Sequence, residues 1–373
     1  MTEREAYVAF NLTDRVGPAK VAALARQFGS VAAAWEADSS RTSRTGGEVD
    51  WRGELAKAAK FGVQILTPAD EGYPKMLVDA PGRPLALYIK GDAAALSMPA
   101  IAMVGTRRAT PYGLDQAFKF GRDLAEAGWC IVSGLALGID AEAHKGALAA
   151  GGKTVGVIGS GLDMFYPEQN RELARAIVKS GGAVVSEFPF GRPPDEQTFP
   201  QRNHVVAALA SGVVAVECPL KSGTLITTGI AADLGRTVMA IPGRVDARSS
   251  AGCLSLIRDG AVLVRNARDV AEAMSELLPK KPAAKESAGR KKSVAGDGSA
   301  ARGESPKLSP PPKFSVEESI VMRHVDAEGV AMDDLVRLTK LPAAKVNSIC
   351  MTLRVKGRLR FFPGNRVALP REG

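Results

Sequence analysis

Aromatic side chains are scarce in this 373-residue chain: Phe, Tyr and Trp together make up 5 % of it. So small a supply of rings disfavours a β-sandwich, while abundant alanine and 39 glycines favour the close-packed layers of an α/β fold. Cysteine is sparse as well. The four thiols (Cys130, Cys218, Cys253 and Cys350) stand far apart, mostly inside apolar runs, and no two have the spacing of metal ligands. The three histidines lie near none of them in sequence. No metal site is therefore expected, and the thiols read as reduced core residues of a cytoplasmic protein. No apolar run reaches the roughly 18 residues of a membrane span. The charged start MTEREAYVAF lacks the apolar heart of a secretory signal, so no membrane association is expected. A Walker loop is missing too, because no Gly-Lys-Ser/Thr stands at the required spacing.

What is present points to a globular chain of two or three domains, with 45 % apolar residues. The 49 basic and 40 acidic residues give a net charge of +9, unevenly spread. Residues 279–313 hold nine Lys and Arg against three acids, and residues 314–373 hold ten against seven, which leaves 30 of each sign in 1–278. A polyanion site in the main body must therefore be a local groove, since no net field surrounds it.

Residues 1–75 have a helical pattern. Within NLTDRVGPAKVAALARQFGS a helix leads into Val16-Gly17-Pro18, and a second carries Val21, Leu24 and Phe28 at helical spacing. This suits a helical domain of helix-hairpin-helix or SAM-like type, whose glycine turn presents N–H groups to a DNA phosphate. A plain helical hairpin packed on its neighbours fits as well. Residues 76–278 alternate the apolar runs IAMVG, WCIVSG, TVGVIG, AVVSEF, GVVAVE, TVMAIPG and AVLV with helical stretches near 114–127, 139–150, 170–180, 202–210 and 224–234. That alternation predicts βαβ units in a Rossmann-like, mostly parallel sheet with helices on both faces.

Residues 279–313 have almost no apolar side chains and read as a disordered basic linker. Residues 314–373 then predict helices over 316–325, 332–339 and 342–356, with Pro342 in the first turn of the last and Gly357 as its stop. Two strands follow around Pro363-Gly364-Asn365. The pattern resembles a winged helix, and its third helix is the one that enters a groove. Lys345, Arg354, Lys356, Arg358 and Arg366 are its candidate phosphate contacts. Winged helices also dock proteins, and Asp333 and Asp334 dilute the charge here, so both roles stay open.

In a parallel sheet, ligands bind beyond the carboxyl ends of the strands. Five loops there carry the candidate residues. GTRR brings Gly105, Arg107 and Arg108; SGLALGID brings Ser133, Gly134 and the orienting Asp140; IGSG brings Gly161. FPQRNH brings Phe199, Arg202 and Asn203, and LKSGTLIT brings Lys221, Ser222, Gly223 and Thr224 at a helix start. Helix-start N–H groups with nearby cations seat phosphates, and Phe199 offers a ring for an unpaired base. Several phosphate seats and a ring suit a strand of nucleotides better than one compact cofactor, so no cofactor is expected. The plainer reading places Phe199 in the core and pairs the arginines with Asp140, Asp163 or Glu187.

Two chemistries fit poorly. The dinucleotide fingerprint begins at Gly159 and Gly161 but has Met164 at its third position, and Tyr166-Pro167 interrupts it before any helix starts. A nucleoside-monophosphate phosphoribohydrolase of the lysine-decarboxylase-like group needs a glutamate after its glycine-threonine cluster, and none follows Ser222-Gly223-Thr224. His144 and His204 have no evident serine nucleophile between them and read as core or surface residues.

The segments MVGTRRATPYG, IVSGLALGIDAEAHKGAL, GVIGSGLDMFYPEQN, VVSEFPFG, FPQRNHVVAALA, SGTLITTGIAADLGRTVMAIPG and LIRDGA together resemble the DNA-processing protein A (Smf) family, over residues 85–270. The resemblance implies a non-enzymatic, single-stranded-DNA-binding protein of natural transformation. Such a protein shields DNA from nucleases, loads the recombinase RecA and works as a homodimer through the Rossmann-like domain. It also implies that Arg107, Phe199, Arg202, Asn203 and Lys221 to Thr224 line the DNA pocket. The sequence departs from the family at His204, where arginine is usual, at Leu254, where asparagine is usual, and at Ser255, often basic. Glu196 stands where some relatives have lysine. These departures bear on affinity more than on fold. A nucleotide-processing enzyme and a protein adaptor with a vestigial pocket are the competing classes.

Overall fold

The computed structural model describes residues 1–37, 42–43, 46–275, 315–326, 329–356, 358–362 and 366–369. They fall into two compact units, Met1–Leu277 and Leu278–Gly373. In the first, helices α1 (Glu3–Leu12), α2 (Pro18–Phe28), α3 (Val31–Glu36) and α4 (Trp51–Phe61) precede β1 (Gln64–Leu66), α5 (Lys75–Val78) and β2 (Leu87–Gly91). Strands and helices then alternate as β3 (Ala100–Val104), α6 (Pro111–Glu126), β4 (Cys130–Ser133), α7 (Ile139–Ala149), β5 (Thr154–Val157) and α8 (Arg171–Lys179). The run continues through β6 (Ala183–Ser186), α9 (Thr198–Leu209), β7 (Gly212–Ala215), α10 (Gly223–Asp233), β8 (Thr237–Ala240), α11 (Ala251–Arg258), β9 (Val262–Leu263) and α12 (Ala267–Ala273).

The nine strands form one sheet in the order β1-β2-β6-β5-β4-β3-β7-β8-β9. The seven predicted strands, β3 to β9, run parallel to one another, and Ala102 at the centre faces Val132 of β4 and Val213 of β7. Strands β3 to β7 are buried on both faces, which is why they read as unbroken apolar runs. The chain lays down β3 to β6 outward in one direction, then returns to place β7 on the other side of β3. This reversal makes the gap beyond β3 and β7 the switch point of the sheet, where ligands of such folds bind.

The region read as purely helical contributes to the sheet. β1 pairs antiparallel with β2, which pairs antiparallel with β6, so the sheet carries an antiparallel edge that the sequence pattern did not reveal. Val8 of α1 packs with Ile65 and Tyr88 of that edge, and Phe10 meets Trp35 edge-on at 5.1 Å. The expected boundary at 75/76 therefore falls inside one compact unit. Pro18 does open α2 after Gly17, but Val21 is buried while Phe28 is exposed.

The second unit contains α13 (Val316–Met322), β10 (Val330–Ala331), α14 (Met332–Thr339), α15 (Ala343–Val355), β11 (Arg360–Phe362) and β12 (Arg366–Ala368). Leu335, Val346, Cys350, Leu353 and Val367 form its core. It is a winged helix, with a third strand, β10, pairing with β12 where the sequence predicted only two. The predicted linker 279–313, the stop at Gly357 and the turn at 363–365 lie outside the described residues. All four cysteines are buried. Among the described residues, no helix is long and apolar enough to cross a membrane, and no cluster of side chains has the makings of a metal site.

Candidate nucleic-acid interface

The chain leaves β3 at Val104 and turns at once through Gly105, because a side chain there would strike Ile139 at the start of α7. The Thr106 N–H donates to the Glu217 carbonyl (2.7 Å), and the Thr106 carbonyl accepts from the Ile139 N–H (3.3 Å). Gly138 makes this approach possible. Its φ of +79° suits glycine, and a Cβ would lie 2.5 Å from the Thr106 oxygen. Further on, the buried Glu217 carboxylate accepts from both the N–H and the hydroxyl of Thr110, each at 2.8 Å. Arg107 and Arg108 thus extend, exposed, from a backbone held at several points.

Across the switch point, β7 runs on through Glu217 to Lys221 and into α10. Ser222 caps that helix: its hydroxyl accepts from the Thr224 N–H (3.2 Å) and donates to the Thr224 hydroxyl (3.0 Å). Ser222, Gly223, Thr224 and Thr227 line an open cleft of about 490 Å³ together with Arg107, Arg108 and Lys221. The start of α9 supplies the facing wall with Phe199, Pro200 and Asn203. The helix start therefore places its positive dipole end beside three cations.

Charges around the cleft do not cancel. Arg107, Arg108, Arg202 and Lys221 face Asp140 and Glu196. Arg202 is only 5 % exposed, and its Nη1 donates to the Val157 carbonyl at 2.8 Å. Asp140 accepts from the Gly134 and Ala136 N–H groups (3.1 and 3.4 Å). Burial pulls the Arg202 pKa down to about 10, which leaves the group cationic at neutral pH. Burial raises the Asp140 carboxyl, and the Arg202 charge opposes that shift. The two offset one another, leaving Arg107, Arg108 and Lys221 against Glu196. Among the described residues those three cations form no ion pair; Arg107 instead lies over the Phe199 ring at 4.8 Å.

With the fold and cleft in view, similarity to known proteins is specific. The family model for DNA recombination-mediator protein A matches residues 64–275. The chain belongs to this family. A model of the DprA winged helix domain also matches, over residues 304–365. Protein Smf of Synechocystis is 31 % identical over 401 residues, spanning 98 % of each chain. DNA processing protein DprA of Streptococcus pneumoniae is 42 % identical over 201 residues, covering 54 % of this chain and 71 % of that one. The X-ray structure of DNA processing protein A from S. pneumoniae is similar with a TM-score of 0.61 at 33 % identity, covering 73 % of this chain and 98 % of that one. The Helicobacter pylori structure, which describes the single-stranded DNA binding mode of its DNA processing protein A, has a TM-score of 0.52 at 30 % identity, covering 57 % and 96 %.

Within this family member the cleft gathers all but two of the main-body candidates. Ser133 is one exception: it is fully buried, and its hydroxyl donates to the Met103 carbonyl at 2.6 Å. Gly161 is the other. It is buried in a turn whose N–H donates to the Arg192 carbonyl (2.8 Å), and a Cβ would lie 2.5 Å from the Pro189 oxygen. Arg202 lines the wall, but its partners make it a support rather than a free cation. No helix follows the glycines of 159–161 directly, since α8 starts only at Arg171. His144 is fully buried with Nδ1 2.6 Å from the Thr154 hydroxyl, and His204 is half-buried near Gly82, outside the cleft lining. Glu196 is the one departure from the family that reaches the cleft; Leu254 and Ser255 lie on α11, away from its lining.

The winged helix is less cationic than its sequence implies. Lys345 pairs with Glu317, and Lys356 pairs with Glu318 at 2.5 Å. Arg366 donates to the Gly329 carbonyl (2.6 Å), and Arg354 lies over Phe361 at 5.2 Å. Arg358 alone of the five makes no such contact among the described residues. The sequence reading gave no place in the DNA site to Leu137, Gly159 or Tyr166, which line a small cup beside the cleft. Tyr166 entered that reading only as a residue that broke a fingerprint, although an exposed ring at a strand end was itself a signal.

Proposed function

We propose that this family member is a recombination mediator that binds single-stranded DNA and acts by binding, without turnover. The observation that carries the reading is the meeting of two cationic arms, one after β3 and one after β7, at the switch-point cleft. Arg107, Arg108, Lys221 and the positive dipole end of α10 are suited to hold phosphates, and Phe199 is placed for a base. Of the carboxylates near the cleft, Asp140 offsets Arg202 and Glu217 holds Thr110, so Glu196 stands alone. That leaves the phosphoribohydrolase reading without an acid–base pair.

The remaining parts of the proposal follow the family. The strand is shielded and handed to the recombinase RecA during natural transformation, in the cytoplasm. Two copies act together, and the exposed Val262 and Leu263 on the short edge strand β9 offer an apolar edge for the second copy. A dimer sets two clefts on one strand and raises effective concentration on long DNA. For the winged helix, the internally paired Lys345 and Lys356 favour protein docking over DNA.

The test is fluorescence anisotropy with labelled single strands and duplexes across a salt series. The protein should prefer the single strand and lose affinity steeply as salt rises. Arg107→Ala and Lys221→Ala should each weaken binding more than about tenfold and lower the salt slope by about one. Wild-type affinity in both variants refutes the assigned cleft.

A further inference from the structure

We propose that Tyr166, with Leu137, forms a second base seat beside Phe199, so that the strand continues from the main cleft across the ends of β4 and β5. This deepens the single-stranded DNA reading and rests on it. Tyr166, a residue 50 % exposed, lies on the loop after β5 with its ring 6.1 Å from that of Phe199 at an angle of 51°. Leu137, on the loop after β4, is 40 % exposed. Large apolar groups left in water at the ligand end of a sheet are unusual in a chain so poor in rings, and they suit a planar apolar ligand.

Three observations choose a nucleobase. The cup lined by Leu137, Gly159, Tyr166 and Pro167 is continuous with the main cleft, because Arg107, Gly134, Ala136, Phe199 and Arg202 line both. Its lining contains no carboxylate and includes Arg107, a cation in no ion pair among the described residues, whereas the main cleft has Asp140 and Glu196. Finally, the Phe199 ring already carries the Arg107 guanidinium, so a base must displace that group to use the covered face. Tyr166 has no cation over its ring among the described residues and offers an uncovered face. Gly159 keeps the floor open: a Cβ there would lie 3.2 Å from the Phe199 ring.

The role predicted for Tyr166 is stacking without hydrogen-bond readout, which every base satisfies. The experiment uses the full chain with labelled oligo-thymidylate and an abasic deoxyribose-phosphate strand of equal length, in low salt. Tyr166→Ala should weaken oligo-thymidylate binding about five- to a hundredfold, the range for losing one stacked base, with the salt slope unchanged. Tyr166→Phe should restore affinity to within about twofold, since the ring is what matters. On the abasic strand, Tyr166→Ala and wild type should bind alike. Normal oligo-thymidylate binding by Tyr166→Ala overturns the proposal. So does an equal loss on both strands, which would mark a structural or phosphate-linked role. If the unaltered protein binds no single-stranded DNA at all, the functional reading fails first; binding that depends on Arg107 but not on Tyr166 sinks only this inference.

Discussion

Phe199 shows how much one residue's reading depends on its surroundings. Its ring joins two contacts, the Arg107 guanidinium at 4.8 Å and Tyr166 at 6.1 Å. Phe199→Ala should lower single-stranded DNA affinity about tenfold with little change in salt slope, because a base contact releases few counterions. Anisotropy titration at two salt concentrations checks this, and an unchanged affinity would return the ring to a packing role. His144 makes a different prediction. Burial pushes its pKa down to about 3, whereas an imidazole in the unfolded chain titrates near 6.5. The folded state therefore holds it neutral: its contribution is complete above about pH 6.5 and is lost as pH falls toward 3, by about 1.4 kcal/mol per unit. Urea melts at pH 7 and pH 5 should show that loss in the wild type and a smaller one in His144→Gln. Equal losses would assign the effect to other groups. At this scale the sequence conveyed the identity of the exposed cations well. Its plainer reading named Asp140 as an arginine partner but could not show that the arginine is Arg202, since their meeting depends on segments far apart in the chain.

Among the elements, the parallel strands were legible because each is buried on both faces and reads as an apolar run. The antiparallel edge was not. β1 has three residues, too few for a period of two to show, and it follows directly on α4. Helix starts were placed late for a related reason: α6 begins at Pro111 and α9 carries Pro200 in its first turn, where a missing N–H costs nothing. The site depends on how elements are fastened. Glu217, at the end of β7, holds Thr110 at the start of α6 through two hydrogen bonds. Glu217→Ala should cost about 1–3 kcal/mol, since two half-buried donors lose a charged acceptor, and should weaken single-stranded DNA binding several-fold by loosening the arginine loop. Thermal melts and the same titration measure both; a stable variant with full affinity would show that the loop holds itself.

For the molecule as a whole, the two compact units predict where the chain tolerates division. A chain ending at residue 277 should keep single-stranded DNA affinity within a few-fold, whereas the isolated winged helix should bind weakly because its lysines are paired. A start at residue 85 should instead fail to fold, since it removes β1 and the packing of Val8 on Tyr88. Circular dichroism and titration of these pieces test the division, and strong binding by the winged helix alone would relocate the main site. The charge count anticipated the local character of the groove, since the body as a whole is neutral. The tie between Thr110 and Glu217 carries a last consequence. It fastens the arm bearing Arg107 to the arm bearing Lys221, so the gap between them is fixed when the chain folds. A strand entering that gap finds little protein left to order, and the entropic cost of association falls chiefly on the DNA. Capture should then be limited by encounter rather than by rearrangement.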